Sequence, residues 1–109
     1  MRFLRRGLPA ALLLIGLAAP AMAQSSDPSF RINNRSGVTI QEAYVSSAAR
    51  SDWGQDHLGQ NVLHHGQSLI VRLPVGECVN DIKLVFANGR SLERRNVNTC
   101  GITDYNIDP

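Results

Sequence analysis

Beyond its first residues, the sequence has no excess of charge of either sign. The whole chain is formally +2, but three of its eleven basic residues lie within the first 23 positions. The eight that remain face nine acidic residues, which gives a net charge of −1. Because nucleic-acid-binding domains need a basic surface to neutralise phosphates, this balance excludes nucleic acid as an expected partner.

The sequence also lacks an apolar run long enough to span a membrane. The longest, Ala10 to Ala19, has about ten residues, whereas a spanning helix needs roughly 20. It follows a basic segment with Arg5-Arg6 and precedes Ala21-Met22-Ala23, an arrangement typical of a signal peptide over residues 1–23. The alternative is that the segment stays uncleaved and acts as an anchor. Arg5-Arg6 is also found in twin-arginine export signals, but the Gly-Leu-Pro that follows is a weak match to them, which favours the general secretory route.

Cleavage before Gln24 would leave a single secreted β domain over residues 24–109. We expect this domain in the periplasm or secreted, with no stable membrane anchor. Removing 23 of the 109 residues leaves 86, which is small enough for folding to be marginal.

Cysteine is scarce, with only Cys78 and Cys100 present. The two do not form a Cys-x-x-Cys motif, and a second pair is missing, so we expect neither a redox role nor a metal or other cofactor. An even number of cysteines in an exported chain predicts a structural disulfide. Closing a loop of about 23 residues stabilises a fold by roughly 3 kcal/mol in the chain-entropy model.

The chain shows no convincing amphipathic helix. Instead, short segments alternate apolar and polar residues between turn signals, which is typical of half-buried strands. The pattern predicts an all-β fold, a small β-sandwich or partly open barrel of about six antiparallel strands with one disulfide. The predicted strands are 30–34, 38–45, 67–73, the two arms of a hairpin over 78–100, and a short last strand within 101–107.

One strand contains a conflict in its alternation. Val38, Ile40 and Tyr44 share a face, but Glu42 falls on that same face. A β-bulge near Glu42, or a strand that leaves the core there, would resolve the conflict.

The hairpin over residues 78–100 turns at Asn88-Gly89, the strongest short-range signal for a hairpin. A strict two-residue turn misaligns the two cysteines by one residue. One extra residue, in a bulge or a three-residue turn, would place Cys78 opposite Cys100 and Phe86 opposite Leu92, and we predict that register. The alternative is a disulfide that joins strand ends in different sheets.

The long connection from Ser46 to Gly66 holds the candidate ligand-binding residues Trp53, Asp56 and His57. Loops of this length are usually functional or packed down by their own side chains. Trp53, the only tryptophan, would form an aromatic platform for a sugar or peptide. The competing interpretation is that Trp53 plugs the end of the sandwich and that Asp56 caps a turn.

The sequence gives little support for a metal site, for catalysis or for a basic binding strip. His57, His64 and His65 accompany Asp52 and Asp56, but adjacent histidines in an extended segment point to opposite sides, which disfavours one metal shell. No Gly-x-Ser-x-Gly elbow is present, and a small domain leaves little room for a cleft between paired carboxylates, so we expect no catalytic residues and no enzyme. Another candidate surface is a basic strip on the hairpin, but Glu93 lies within it, so a solvated strand face is the simpler interpretation; the strip consists of Arg90, Arg94 and Arg95.

Several spaced motifs resemble a group of small exported bacterial β-proteins of unassigned function. The motifs are Trp53-Gly54-x-Asp56-x-Leu58-Gly59, Cys78-x-x-Asp81-Ile82, Asn88-Gly89 and Asn96-Val97-Asn98-x-Cys100. The resemblance covers nearly the whole domain and implies a secreted β-sandwich-like module. Asn80 departs from it, since an aromatic residue is expected before Asp81, and a binding surface built on that aromatic would be lost here.

Two function hypotheses follow. The first is a non-catalytic periplasmic or secreted binding or accessory module, with a protein or glycan of the cell envelope as its partner. The second is a small proteinaceous inhibitor of a cell-wall or host enzyme, since a disulfide-tied β domain with a rigid protruding loop suits that role. Both would act through the loop from Ser51 to Gly59.

Overall fold

The computed structural model describes residues 25–109, so the predicted signal peptide lies outside the described residues. The described chain is all-β, as predicted, with six strands and one short 3-10 turn. The strands are β1 (Phe30–Asn34), β2 (Ile40–Ser47), β3 (Ser68–Val71), β4 (Val79–Phe86), β5 (Ser91–Asn98) and β6 (Asp104–Ile107), and the 3-10 turn is Thr99–Gly101. Within residues 25–109, no helix has the length and apolar character needed to cross a membrane.

The six strands form two three-stranded sheets that share one core. One sheet has the order β3-β1-β6 and the other the order β2-β4-β5. All neighbouring strands are antiparallel except β1 and β6, which run parallel. That pair differs from the predicted antiparallel arrangement. The two strands are far apart in the sequence and are not joined by a hairpin, so no turn forces them to be antiparallel.

The core is built from the inward positions of both sheets, which confirms the period-2 interpretation. Along β1 the pattern is regular, with Phe30 and Ile32 buried and Arg31 exposed. The buried apolar residues are Phe30, Ile32, Ile40, Ala43, Val45, Leu58, Leu63, Val71, Ile82, Leu84 and Ile107. Burial of aliphatic side chains contributes roughly 1.5–3 kcal/mol each, so this cluster supplies most of the driving force for folding.

The predicted bulge in β2 is present. The register between β2 and β4 shifts between Ile40 and Glu42, which reverses the alternation from that point on. Ala43 and Val45 therefore face the core, and Tyr44 faces outward rather than lying on the face of Ile40 as a regular strand would require. On the outer face, the Tyr44 hydroxyl donates to the Glu42 carboxylate at 2.7 Å.

The register predicted for the β4–β5 hairpin was wrong near its turn. The Phe86 amide donates to the Arg90 carbonyl, so the turn spans three residues, 87–89. Compared with a two-residue turn, each residue of β4 near the turn now pairs one position earlier in β5, whereas the predicted register required one position later. Leu92 lies opposite Leu84 and not opposite Phe86. The predicted bulge exists, but it lies at the other end of β5, where Asn96 adopts a positive φ of 57°.

This bulge brings the two cysteines into alignment. Beyond it Val79 pairs with Asn98, a register that would place Cys78 opposite Thr99. The 3-10 turn then shifts the chain by one more residue, so that Cys100 comes to lie beside Cys78. Cys78 and Cys100 are joined by a disulfide with their Cα atoms 5.1 Å apart, as predicted. The Thr99 amide donates to the Cys78 carbonyl at 2.8 Å, so the hairpin is closed at its open end by both a covalent and a hydrogen bond.

Asn80 lies on the inner side of β4 and is 1% exposed. Its side-chain amide donates to the Glu77 carbonyl and to the Thr99 hydroxyl at 2.8 and 2.9 Å. An aromatic residue in this place would point into the domain. In this chain Asn80 itself therefore offers no outward surface, and the loss of an aromatic binding surface at this position stays a prediction.

Candidate functional site

The loop after β2 is tied to the free edge of that strand. One oxygen of the Asp56 carboxylate accepts hydrogen bonds from the amides of Ala43 at 2.8 Å and Leu58 at 2.9 Å. The His57 amide donates to the Ala43 carbonyl at 2.7 Å. An edge strand exposes unpaired backbone groups, and this loop satisfies them, so it is held in one position relative to the sheet.

Two loop leucines fix the segment from the inside. Leu58 and Leu63 are 6% and 4% exposed, and Leu63 forms a bridge with Ile40 at the start of β2. The two leucines therefore fold the loop back over the sheet, whereas the neighbouring Val62 is exposed.

Trp53 lies over the outer face of the β2-β4-β5 sheet. The guanidinium carbon of Arg95 is 4.5 Å from the centroid of the indole ring, and the Lys83 ammonium is 5.9 Å from it. Trp53 is half-buried and is not part of the core cluster. The interpretation that Trp53 plugs the sandwich as a core residue is therefore wrong, because its contacts are with charged side chains on the outside of the sheet.

Arg95 is held in place by two carboxylates. Its guanidinium donates to Asp81 and to Glu93, both at 3.1 Å. The Asp81 side chain is 7% exposed, and its second oxygen accepts a hydrogen bond from the Asn96 amide at 2.9 Å. The bulge at Asn96 thus positions Asp81, Asp81 positions Arg95, and Arg95 stacks on the indole. Such a cation–π contact contributes about 0.5–1 kcal/mol at an exposed site.

We call Trp53 together with Lys83 and Arg95 the indole face. The sequence did not single out Lys83 or Arg95 for this role. A signal was available, because alternation placed Asp81 and Lys83 on the side of β4 opposite the core, and Arg95 lies on the matching side of β5. What alternation does not show is that the distant Trp53 loop lies over those positions.

The three predicted ligand-binding residues have different surroundings. Trp53 lies on the indole face, whereas Asp56 uses its carboxylate to hold loop and strand amides together. One ring nitrogen of His57 lies 3.4 Å from the Val45 carbonyl oxygen, again at the β2 edge. The structure thus gives Asp56 and His57 anchoring contacts, and the ligand-binding role of all three residues stays a prediction.

The remaining loop histidines also contact their neighbours. A ring nitrogen of His65 accepts a hydrogen bond from the Gly37 amide at 3.0 Å, and a ring nitrogen of His64 lies 3.2 Å from the Thr39 hydroxyl. Within the described part of the chain, no three His, Cys, Asp or Glu side chains are grouped as a metal site requires.

The three arginines of β5 and its turn do not form one strip. Arg95 is on the outer face with Trp53, whereas Arg94 pairs with Ile82 on the core side of the sheet. Arg90 and Arg94 instead line a groove between the two sheets. The hypothesis of a continuous basic strip is therefore wrong, because neighbouring residues of a strand point to opposite faces.

Comparison of the chain with protein-family models, with curated proteins and with solved structures finds no match in any of the three.

Proposed function

We propose that this protein is a non-catalytic binding module of the bacterial periplasm or cell exterior, acting through the loop from Ser51 to Gly59. The disulfide is compatible with such a location, since disulfides persist in oxidising compartments. The single observation that carries the proposal is the placement of Trp53. The only tryptophan of the chain lies outside the core, on an outer sheet face, in a loop that is tied down at Asp56.

A fixed indole is well suited to recognition. Tryptophan offers a large contact area with few rotatable bonds, and it is enriched among residues that dominate binding energies. A loop that is already ordered loses less conformational entropy when it binds. The hydrogen bonds from Asp56 and the stacking of Arg95 both supply that order.

The indole face favours a partner that carries negative charge beside an apolar surface. Among the ion pairs of residues 25–109, Lys83 has no carboxylate partner within 4.0 Å, so its ammonium is available to such a group. Acidic glycans of the envelope and acidic protein surfaces both have this chemistry. We therefore propose a protein or glycan of the cell envelope as the partner.

The test compares wild type with Trp53→Ala and with Ile70→Ala as a matched control. Ile70 is an apolar residue that is 58% exposed on the other sheet. The probes are purified peptidoglycan sacculi and, separately, a soluble extract of envelope proteins. We expect binding to one probe that falls at least tenfold in Trp53→Ala and is unchanged in Ile70→Ala. Equal binding by wild type and Trp53→Ala would refute the role of the loop.

A second candidate function, inhibition of a cell-wall or host enzyme, is favoured by the same rigid loop, because inhibitors bind through pre-organised segments. Here the assay is the activity of cell-wall hydrolases with and without the protein. Inhibition that is lost in Trp53→Ala and kept in Ile70→Ala would assign this function. Binding to sacculi without inhibition would assign the accessory role instead.

A further inference from the structure

The free edge of β2 is covered by the loop containing Leu58 and Leu63. At the other edge of the sandwich, β5 and β6 flank a groove of about 420 Å³. Ligand pockets in proteins typically measure about 300–1,000 Å³, so the groove is large enough for a small molecule with one chain or ring system.

The lining of the groove is mixed, since polar residues such as Ser36, Asn88 and Asn106 accompany the apolar ones. We call the main apolar part the floor; it comes from both sheets and from the segment before β2, and consists of Val38, Phe86, Leu92, Tyr105 and Ile107. Phe86, Leu92 and Tyr105 pack against the core on one side and remain partly exposed on the other. The Tyr105 ring is fixed by an edge-on contact with Phe30, with ring centroids 6.3 Å apart. The groove therefore offers a preformed surface for hydrocarbon.

Two arginines line the same groove. Arg94 occupies a core-side position on β5 next to Leu92, where alternation would ordinarily place an apolar residue. Its guanidinium donates to the Glu93 carbonyl at 2.9 Å. Among residues 25–109, neither Arg90 nor Arg94 has a carboxylate within 4.0 Å. Asp108 also lines the groove, and its carboxylate is paired with Arg35 at 3.5 Å.

We propose that this groove binds a single-chain anionic amphiphile, a long-chain carboxylate of the fatty-acid type. Its alkyl chain would lie on the apolar floor, and its carboxylate would accept hydrogen bonds from Arg90 and Arg94. Charge complementarity selects the anion, since guanidinium groups bind carboxylates through paired N–H donors. The small volume selects one chain over two. This ligand site is separate from the indole face.

The test uses the purified protein and isothermal titration calorimetry with laurate. Acetate serves as the head-group control, and dodecyl maltoside below its micelle concentration serves as the uncharged-chain control. We expect laurate to bind at one site, acetate not to bind, and the maltoside to bind at least tenfold more weakly. The double variant Arg90→Gln/Arg94→Gln should lose at least tenfold in laurate affinity. Arg72→Gln, which changes an exposed arginine outside the groove, should leave it unchanged.

Charged residues that point inward on an edge strand also discourage sheets from pairing edge to edge, and the experiment separates this role from ligand binding. Failure of wild type to bind laurate overturns the proposal, and dimers of Arg94→Gln on size-exclusion chromatography would then assign Arg94 the role of preventing edge-to-edge pairing. Equal laurate affinity in wild type and the double variant overturns the proposal as well. Trp53→Ala should bind laurate normally, so failure of the groove and failure of the indole face are distinguishable.

Discussion

Removal of the disulfide gives the most quantitative prediction about stability. Cys78 and Cys100 are 22 residues apart, and closing a loop of this size lowers the entropy of the unfolded chain by an amount equivalent to about 3 kcal/mol at 25 °C. Both cysteines are half-buried, so truncation to alanine removes little packing. We therefore expect Cys78→Ala/Cys100→Ala to lose about 3 kcal/mol in its free energy of unfolding.

The assay is equilibrium urea unfolding, followed by the fluorescence of Trp53. For a domain of this size, about 3 kcal/mol corresponds to a fall in Tm of roughly 12–24 °C. Wild type treated with a reductant should match the double variant, which controls for the substitutions themselves. A loss below about 1 kcal/mol, with an unchanged urea dependence, would refute the entropic reasoning and show that the β4–β5 ladder alone constrains the chain.

Three further predictions concern single side chains. Asp56→Asn should destabilise the protein by about 1–3 kcal/mol, because it weakens the acceptor for two amides, and hydrogen exchange at the Ala43 amide should accelerate; unchanged exchange would contradict the anchoring role. The Arg31 guanidinium, 2.7 Å from the Asp104 carboxylate, lowers the pKa of that carboxyl from 3.8 to about 2. The ionised Asp104 therefore stabilises the fold above pH 3.8, and this contribution is lost as the pH falls towards 2. A carboxyl NMR titration of Asp104 with a midpoint near 3.8 would refute this. Asn96→Gly should be nearly neutral, whereas Asn96→Val should cost about 1–2 kcal/mol, because its φ of 57° is in the left-handed region; equal urea midpoints for the two variants would count against the bulge.

Local patterns predicted most of the strands because the strands that form the core have one more buried and one more exposed face. The buried residues of β1 follow the alternation of the sequence, as do Ile82 and Leu84 in β4, and the conflict at Glu42 correctly indicated a bulge. The indole face was not predictable in the same way. Its members come from a loop and two strands, and alternation shows which side of a strand a residue faces but not which loop lies over it.

The hairpin register shows why local signals leave the details open. Three small irregularities follow one another along β5: the three-residue turn, the bulge at Asn96 and the 3-10 turn. The first moves the cysteines out of alignment, and the other two restore it, so the disulfide alone could not reveal the path between its ends.

The same irregularities determine which side chains of β5 lie on each face of the β2-β4-β5 sheet. The turn places Leu92 and Arg94 on the core side, where they line the groove, and leaves Arg95 outside with Trp53. The bulge then lets the Asn96 amide reach Asp81 and returns Val97 to the core side, where it packs against the buried cluster. A strand without the bulge would turn Asn96 inward and leave Asp81 without one of its donors. Two adjacent arginines therefore belong to two separate candidate sites because of the register of one edge strand.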